Sequence, residues 1–335
     1  MNRKRLLVTL VLSLVIILVS STIAAAKNPS AAPSAELLAS GLQGAQGSTI
    51  GPDGALYVTE GILGRIMRVD PSTGEMTVFA SGLPQRVIPL GGVVDVAFLD
   101  GTAYALVTIV SPDVFGLGSD ITGIYRIDGP NSFTPIADIG QFSIDNPSES
   151  EVVIPSGVQY AMEIFRGGFL VTDGHHNRVL RVTLDGQVSE MIAFDDIVPT
   201  GLEVWGKTVL MTEAGPNPHL PENGKVMSFG PDGSAVTEVA SGAPLLVDVE
   251  FGLGRTLYAL AQGDFPEGAD DGSPAMPNTG SLVEVNADGT FTVIVTGLNQ
   301  PTSLEFIGNT AYVVSLAGDI YKIEGVSSSP FGVPK

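Results

Sequence analysis

The 335-residue chain has no cysteine, which excludes a disulfide framework, a thiolate metal site, a cysteine nucleophile and a lipid-modified N-terminal cysteine. Basic residues are scarce: 16 Lys and Arg stand against 36 Asp and Glu, a formal charge of -20. A phosphate backbone would be repelled over most of such a surface, so nucleic acid is not an expected partner. Charged residues make up 16% of the chain and hydrophobic ones 44%, too apolar a balance for disorder and too little charge for a coiled coil. Signatures of covalent catalysis are missing as well. There is no G-x-S-x-G elbow, no H-E-x-x-H, no Gly-rich phosphate loop and no contiguous D-x-[DN]-x-[DN]-G calcium loop. What the chain does have is turn chemistry, with 41 Gly and 23 Pro, a composition suited to a many-stranded β protein.

Residues 1–26 read as a Sec-type export signal: Arg3, Lys4 and Arg5, an apolar run from Leu6 to Val19, then Ala24, Ala25 and Ala26 in an A-x-A cleavage pattern. An uncleaved anchor is the alternative, because Leu6 to Ala26 could just span a bilayer. Both readings place the remainder outside the cytoplasm, periplasmic or secreted, and cleavage leaves it without membrane integration. Residues 27–34 then read as a linker and 325–335, rich in Ser and Pro, as a flexible tail.

Between them, six segments repeat one pattern of alternating apolar and polar residues. They begin at Arg65, Gly123, Arg178, Lys225, Ser281 and Asp319, with second residues 58, 55, 47, 56 and 38 positions apart. That is the spacing of four-stranded propeller blades. Each segment follows a strand such as Leu56-Tyr57-Val58 or Ala311-Tyr312-Val313, and a shorter strand with a tight turn precedes that one. Outer strands follow the first five copies only. The sixth is expected at the other end of the chain, because Glu36-Leu37-Leu38-Ala39-Ser40-Gly41-Leu42 resembles Thr77-Val78-Phe79-Ala80-Ser81-Gly82-Leu83. The predicted fold is therefore all-β, a six-bladed β-propeller of four-stranded antiparallel blades over residues 35–324, closed by an N-terminal outer strand that removes its open edges. A monomer is expected.

Long connections, such as 108–121, 138–158, 214–224 and 262–280, all fall on one face of the disc. Long loops on a rigid scaffold are the usual seat of recognition. His175, His176 and His219, all the histidines of the chain, lie there too. With Glu60, Asp173 and Glu213 they form the candidate binding set for a small organic ligand, and His175 and His176 are the candidate catalytic groups. The competing reading is structural, with Asp173 tying down its turn and pairing with Arg178 as Glu60 could with Arg65. A second set lies on the inner strands, where Glu163, Glu203, Glu250 and Glu305 align in four consecutive blades. Asp95 and Asp248 lie two residues earlier, on the same side of their strands. Such carboxylates cannot all ionise in a dry channel: some are protonated, water fills the pore, or calcium or another divalent cation binds.

The run from Val171 to Gly186 (VTDGHHNRVLRVTLDG), with Ala39-Ser40-Gly41-Leu42 leading into Gly51-Pro52-Asp53-Gly54-Ala55-Leu56-Tyr57-Val58, resembles the ScyD/ScyE family, exported propellers named for the scytonemin pigment gene cluster. The resemblance spans residues 35–324 and implies an extracytoplasmic six-bladed propeller, with no active-site residues to carry over. The GPDGALYVTE…GRI pattern is also similar to streptogramin lyases, and more distantly to NHL and SMP-30-like propellers. That similarity implies a metal-assisted lyase or hydrolase, lactonase-like among them, using channel carboxylates with His175 or His176. The Asn-rich metal shell of the calcium lactonases is not visible in the channel strands.

Overall fold

Strict alternation gives the third strand of every repeat one face toward each neighbouring blade; in Arg65–Val69, Ile66, Met67 and Val69 are buried and the arginines only partly so. The second strands lie mid-blade between two neighbours and are buried on both faces, as in Leu56–Glu60 and Gly168–Asp173. The computed structural model describes residues 32–149, 152–270 and 272–327. The expected export signal, most of the linker and the tail beyond residue 327 lie outside these.

The described chain forms six four-stranded antiparallel sheets, a six-bladed β-propeller. The inner strands are Ala45–Ile50, Gly92–Leu99, Gln159–Phe165, Pro199–Trp205, Leu246–Phe251 and Pro301–Ile307. Five blades are consecutive meanders. The sixth takes its outer strand, Ala35–Ala39, from the start of the chain, where Ala35 pairs with Ile323 and Leu37 with Tyr321.

Apolar side chains fill six wedges, one at each blade junction. Tyr57 and Ile66 meet Val96 and Val107 between the first two blades, and Val314 and Ile320 meet Leu56 and Val58 where the ring closes. The junctions are also stitched by side chain to backbone hydrogen bonds near the axis. Thr59 donates to Val94 O, Thr172 to Thr200 O, Thr200 to Leu246 O and Thr302 to Gln46 O, at 2.7–3.2 Å. At the two remaining junctions an aspartate accepts instead: Asp95 from the Met162 amide and Asp248 from the Leu304 amide, each at 2.7 Å. A β-bulge interrupts every inner strand at the same place, ahead of this level.

Two stretches expected to be irregular are ordered. The long connection after Asp138 holds a short helix, Ile139–Asp145, started by the Asp138 carboxylate accepting the Gln141 amide at 2.8 Å. Residues 325–327, assigned to the flexible tail, are packed. Asn309 brackets Ser327 through both backbone groups, and Val326 joins the core beside Tyr258 and Leu304.

Candidate functional site

The inner strands and the loops of the long-loop face line a central cavity of about 530 Å³, a size that suits a small organic molecule. Its upper lining comes from the loops, with Leu90, Val158, Val198, Leu245 and Leu316 as apolar wall and Arg86, His219, Gln262 and Gln300 as polar groups. Deeper, the inner strands contribute Gln46, Asp95, Tyr160, Glu163, Asp248, Glu250 and Glu305.

Tyr160 reaches across the channel, its hydroxyl donating to Thr302 O of the opposite blade at 3.3 Å. At this position the other inner strands carry Gln46, Val94, Thr200, Val247 and Thr302, so at this level only one of the six strands sends an aromatic ring into the channel. One level below, the residues are Gly47, Asp95, Ala161, Gly201, Asp248 and Ser303. Two of these are small because a carboxylate sits next door: a Cβ at Gly47 would lie 2.3 Å from Asp95 Oδ1, and one at Gly201 would lie 2.8 Å from Asp248 Oδ1. Each aspartate spends both oxygens on backbone amides, Asp95 on Val96 and Met162, Asp248 on Val249 and Leu304.

These bonds favour the ionised form, yet burial wins. The Asp95 carboxyl is pushed up to about 7 by burial against its two amide donors. Burial raises Asp248 to about 8, with Asp95 and Glu203 adding to the effect. Burial likewise takes Glu203 to about 7, opposed by a hydrogen bond shared with Glu250, which requires one of the two to carry the proton. Glu163, Glu250 and Glu305 rise well above the ordinary range through burial and one another's charge. The channel therefore holds mostly neutral carboxyl groups near neutral pH.

Among the described residues no three His, Asp or Glu side chains converge closely enough to hold a metal ion. Asp95, Glu163, Glu203, Asp248, Glu250 and Glu305, the expected metal ligands, share one channel without forming a divalent ligand shell. Asp95 and Asp248 are moreover committed to amide donors.

Of the candidate ligand-binding residues only His219 lines the cavity. It sits at positive φ after Pro218 and packs edge-on against Phe265 at 4.9 Å. Its Nδ1 lies 2.7 Å from Gly215 O. A carbonyl can only accept, so Nδ1 carries a proton and Nε2 is the ring nitrogen left for other contacts.

The other five candidates end their second strands or begin the following turn, away from the cavity. Glu60 is buried, paired with Arg65 and accepting the Gln43 amide at 2.7 Å. Glu213 is buried near Lys225 and raised by burial to about 7. Asp173, His176 and Arg178 are buried together: His176 Nδ1 is 2.8 Å from Asp173 Oδ2, and Ser143 Oγ accepts from Arg178 at 3.0 Å while donating to Asp173 at 3.3 Å. Burial alone would raise the Asp173 carboxyl; His176, Arg178 and the Val158 amide hold it below the usual range. His175 Nε2 accepts the amides of Val153 and Ile154 at 2.9 and 3.3 Å. These residues fasten the 139–158 connection to the third blade. Arg178→Met, which takes the neighbouring guanidinium charge away from the buried Asp173, should destabilise the fold by about 3–5 kcal/mol. Chemical denaturation measures this; an unchanged midpoint would mean that the network carries no load.

Sequence reading missed Tyr160, Gln46, Arg86, Gln262 and Gln300. Only Tyr160 left a signal, as the lone aromatic among its six equivalents. Trp205 is 47% exposed on the short-turn face, edge-on to Phe251 and covered by the Arg255 guanidinium at 4.5 Å.

Fold and cavity define a six-bladed propeller with an acidic central channel lined in part by its long loops. No family model matches the chain, and no curated protein matches it in sequence. Solved structures do resemble it. A virginiamycin B lyase from Staphylococcus aureus superposes with a TM-score of 0.53 at 15% identity, covering 84% of this chain and 95% of that one. A gluconolactonase from Xanthomonas campestris gives 0.60 at 11% identity, over 86% and 88%. The PQQ-bound aldose sugar dehydrogenase from Streptomyces coelicolor gives 0.54 at 14%, over 86% and 96%. At such identities the likeness is one of fold.

Proposed function

We propose that this chain is an exported propeller of ScyD/ScyE type that holds a small organic ligand in the central cavity through its long-loop face, as a binding or accessory protein. The observation that carries the reading is the cavity itself, about 530 Å³ with an apolar wall, His219 at its side and a floor of hydrogen-bonding groups. Catalysis has less support. His175 and His176 are engaged in holding a loop, and His219 has no carboxylate partner within hydrogen-bonding distance among the described residues. The export reading rests on residues 1–26, and the family reading on the run from Val171 to Gly186.

Ligand-observed NMR with a library of sugars, lactones, aromatic acids and amines tests the proposal. A bound compound should lose about tenfold in affinity with His219→Ala, while the melting temperature stays put and the compound remains intact. Binding indifferent to His219, or mapping to the short-turn face, would count against it. Turnover by the wild type that is lost in His219→Ala would replace binding with a lyase or hydrolase reaction.

A further inference from the structure

The long connection of blade five leaves the end of one strand, Leu257–Ala261, and returns to the next, Gly280–Val285, almost at its starting point. A Cβ on Gly263, which sits at φ +131, would lie 2.1 Å from Thr279 Oγ1 and 2.9 Å from Gly280 N. The neck is tied within itself. Thr279 Oγ1 accepts the Asp264 amide at 2.9 Å and donates to Met276 O at 2.8 Å, and the Met276 amide donates to Asp264 O at 2.8 Å. A loop closed at its neck in this way can move as one piece.

Its far end crosses the long-loop side of the cavity. Gly272, Ser273 and Pro274 line the cavity, and a Cβ on Gly272 would stand 3.2 Å from Leu90 Cδ1. Leu90 belongs to the link that enters blade two, and in a ring of six that blade stands opposite blade five. The connection is therefore a strap laid across the diameter, with Phe265 against His219 at its side. Among the described residues, two hydrogen bonds tie residues 266–275 to the blades, and both fall on Ala275. Gln262 Oε1 accepts its amide at 2.9 Å, and Gln300, from the link into blade six, donates through Nε2 to its carbonyl at 2.6 Å. Ala275 is buried between them. Both of its backbone groups would find water if the strap lifted, so the two side-chain amides hold it by a modest margin.

We propose that this strap is a lid over the central cavity, latched on Ala275 by Gln262 and Gln300 and lifted about its neck to let a molecule pass. As a gate for a ligand it rests on the reading that the cavity holds one. As a moving cover it can be tested with no ligand present. Passage is then set by release of the latch, and the closed strap keeps a bound molecule from leaving quickly.

The chain has no cysteine, so one placed on the cavity wall, Val158→Cys, reports access through its rate of labelling by an uncharged dipyridyl disulfide. With the strap intact it should react at least tenfold more slowly than Ser132→Cys, which is exposed in a turn on the short-turn face. Gln262→Met with Gln300→Met keeps the side-chain length and drops both bonds to Ala275. That pair should speed labelling of Val158→Cys about tenfold, with the Ser132→Cys rate and the melting temperature unchanged. Replacing residues 266–274 by Gly-Ser-Gly should bring the two cysteines within about threefold of each other, and it decides the matter where the methionine pair lowers the melting temperature. Fast labelling of Val158→Cys beneath the intact strap overturns the proposal. Slow labelling that the methionine pair leaves unchanged overturns it too, because the latch would then hold nothing. A failed lid leaves the ligand-observed NMR with His219→Ala free to uphold the binding reading, and a cavity that binds no compound leaves the labelling rates as they are.

Discussion

Deleting residues 33–42 should abolish the cooperative melt or lower its midpoint by more than about 10 °C. The segment contains the outer strand of the last blade, and its loss strips the hydrogen-bonding edge of Ile320–Glu324 along the register Ala35 to Ile323, Glu36 to Lys322 and Leu37 to Tyr321. It also uncovers apolar surface, because Ala39 and Leu42 are buried against Val314 and Ile320. A buried leucine contributes about 1.5–3 kcal/mol, and the Leu42 amide bond to Gly318 O at 3.1 Å goes with it. A peptide of residues 33–42 added in trans should restore the melt in proportion to its concentration. A truncated chain that melts with the intact one would show that the ring does not depend on this strand.

The second large effect is an inverted dependence of stability on pH. Asp95 and Glu203 at about 7, Asp248 at about 8, and Glu163, Glu250 and Glu305, all held well above the ordinary carboxyl range by burial, keep protons in the native state. The unfolded chain releases them near the ordinary carboxyl values. Between about pH 4 and 8 the native state therefore binds more protons, and stability falls as pH rises. Each such group contributes about 1.4 kcal/mol per pH unit over the interval in which the two states differ. Carboxylates held low, such as Asp173 and Asp113, act in the opposite sense and matter only below about pH 4. Urea denaturation should accordingly give a higher midpoint at pH 5.5 than at pH 8. Glu203→Gln with Glu250→Gln should flatten the slope, which separates the channel from the general repulsion of a chain of charge -20. A midpoint that rises between these pH values would mean that water solvates the channel well enough to keep the acids ionised.

The blades were legible because their signal is local. Arg65–Val69 and its five equivalents announce themselves by alternation, and the closing strand by the likeness of ELLASGL to TVFASGL. Glu163, Glu250 and Glu305 line the cavity with Asp95 and Asp248, because nothing interrupts the alternation between the aspartate and glutamate levels. Residues inside the bulges were harder. A bulge shifts the alternation by one residue, so the reach of Tyr160 toward the opposite blade could not be derived from parity. The histidine turn failed for a different reason. Which way His175 and His176 face depends on the helix Ile139–Asp145 and the irregular connection after it, where Val153 and Ile154 bind His175, and Asp173 closes around Ser143, thirty residues away in sequence. The readings of Asp173 with Arg178 and of Glu60 with Arg65 as structural pairs describe what is found.

Closure by a strand from the start of the chain also dictates an order of events. Blades one to five consist of neighbours in sequence and can form as soon as their own residues are available. Ala35–Ala39 must wait for Ile320–Glu324, its only hydrogen-bonded neighbour, which is the last strand of the described chain. The contact with the greatest sequence separation is thus the one that completes the circle, and loops of that length close slowly. Until it forms, the chain is an open arc with two bare strand edges, able to pair with the matching edge of a second arc. Crowding during synthesis should therefore produce ring-swapped dimers, whereas dilution should produce monomers of the same stability.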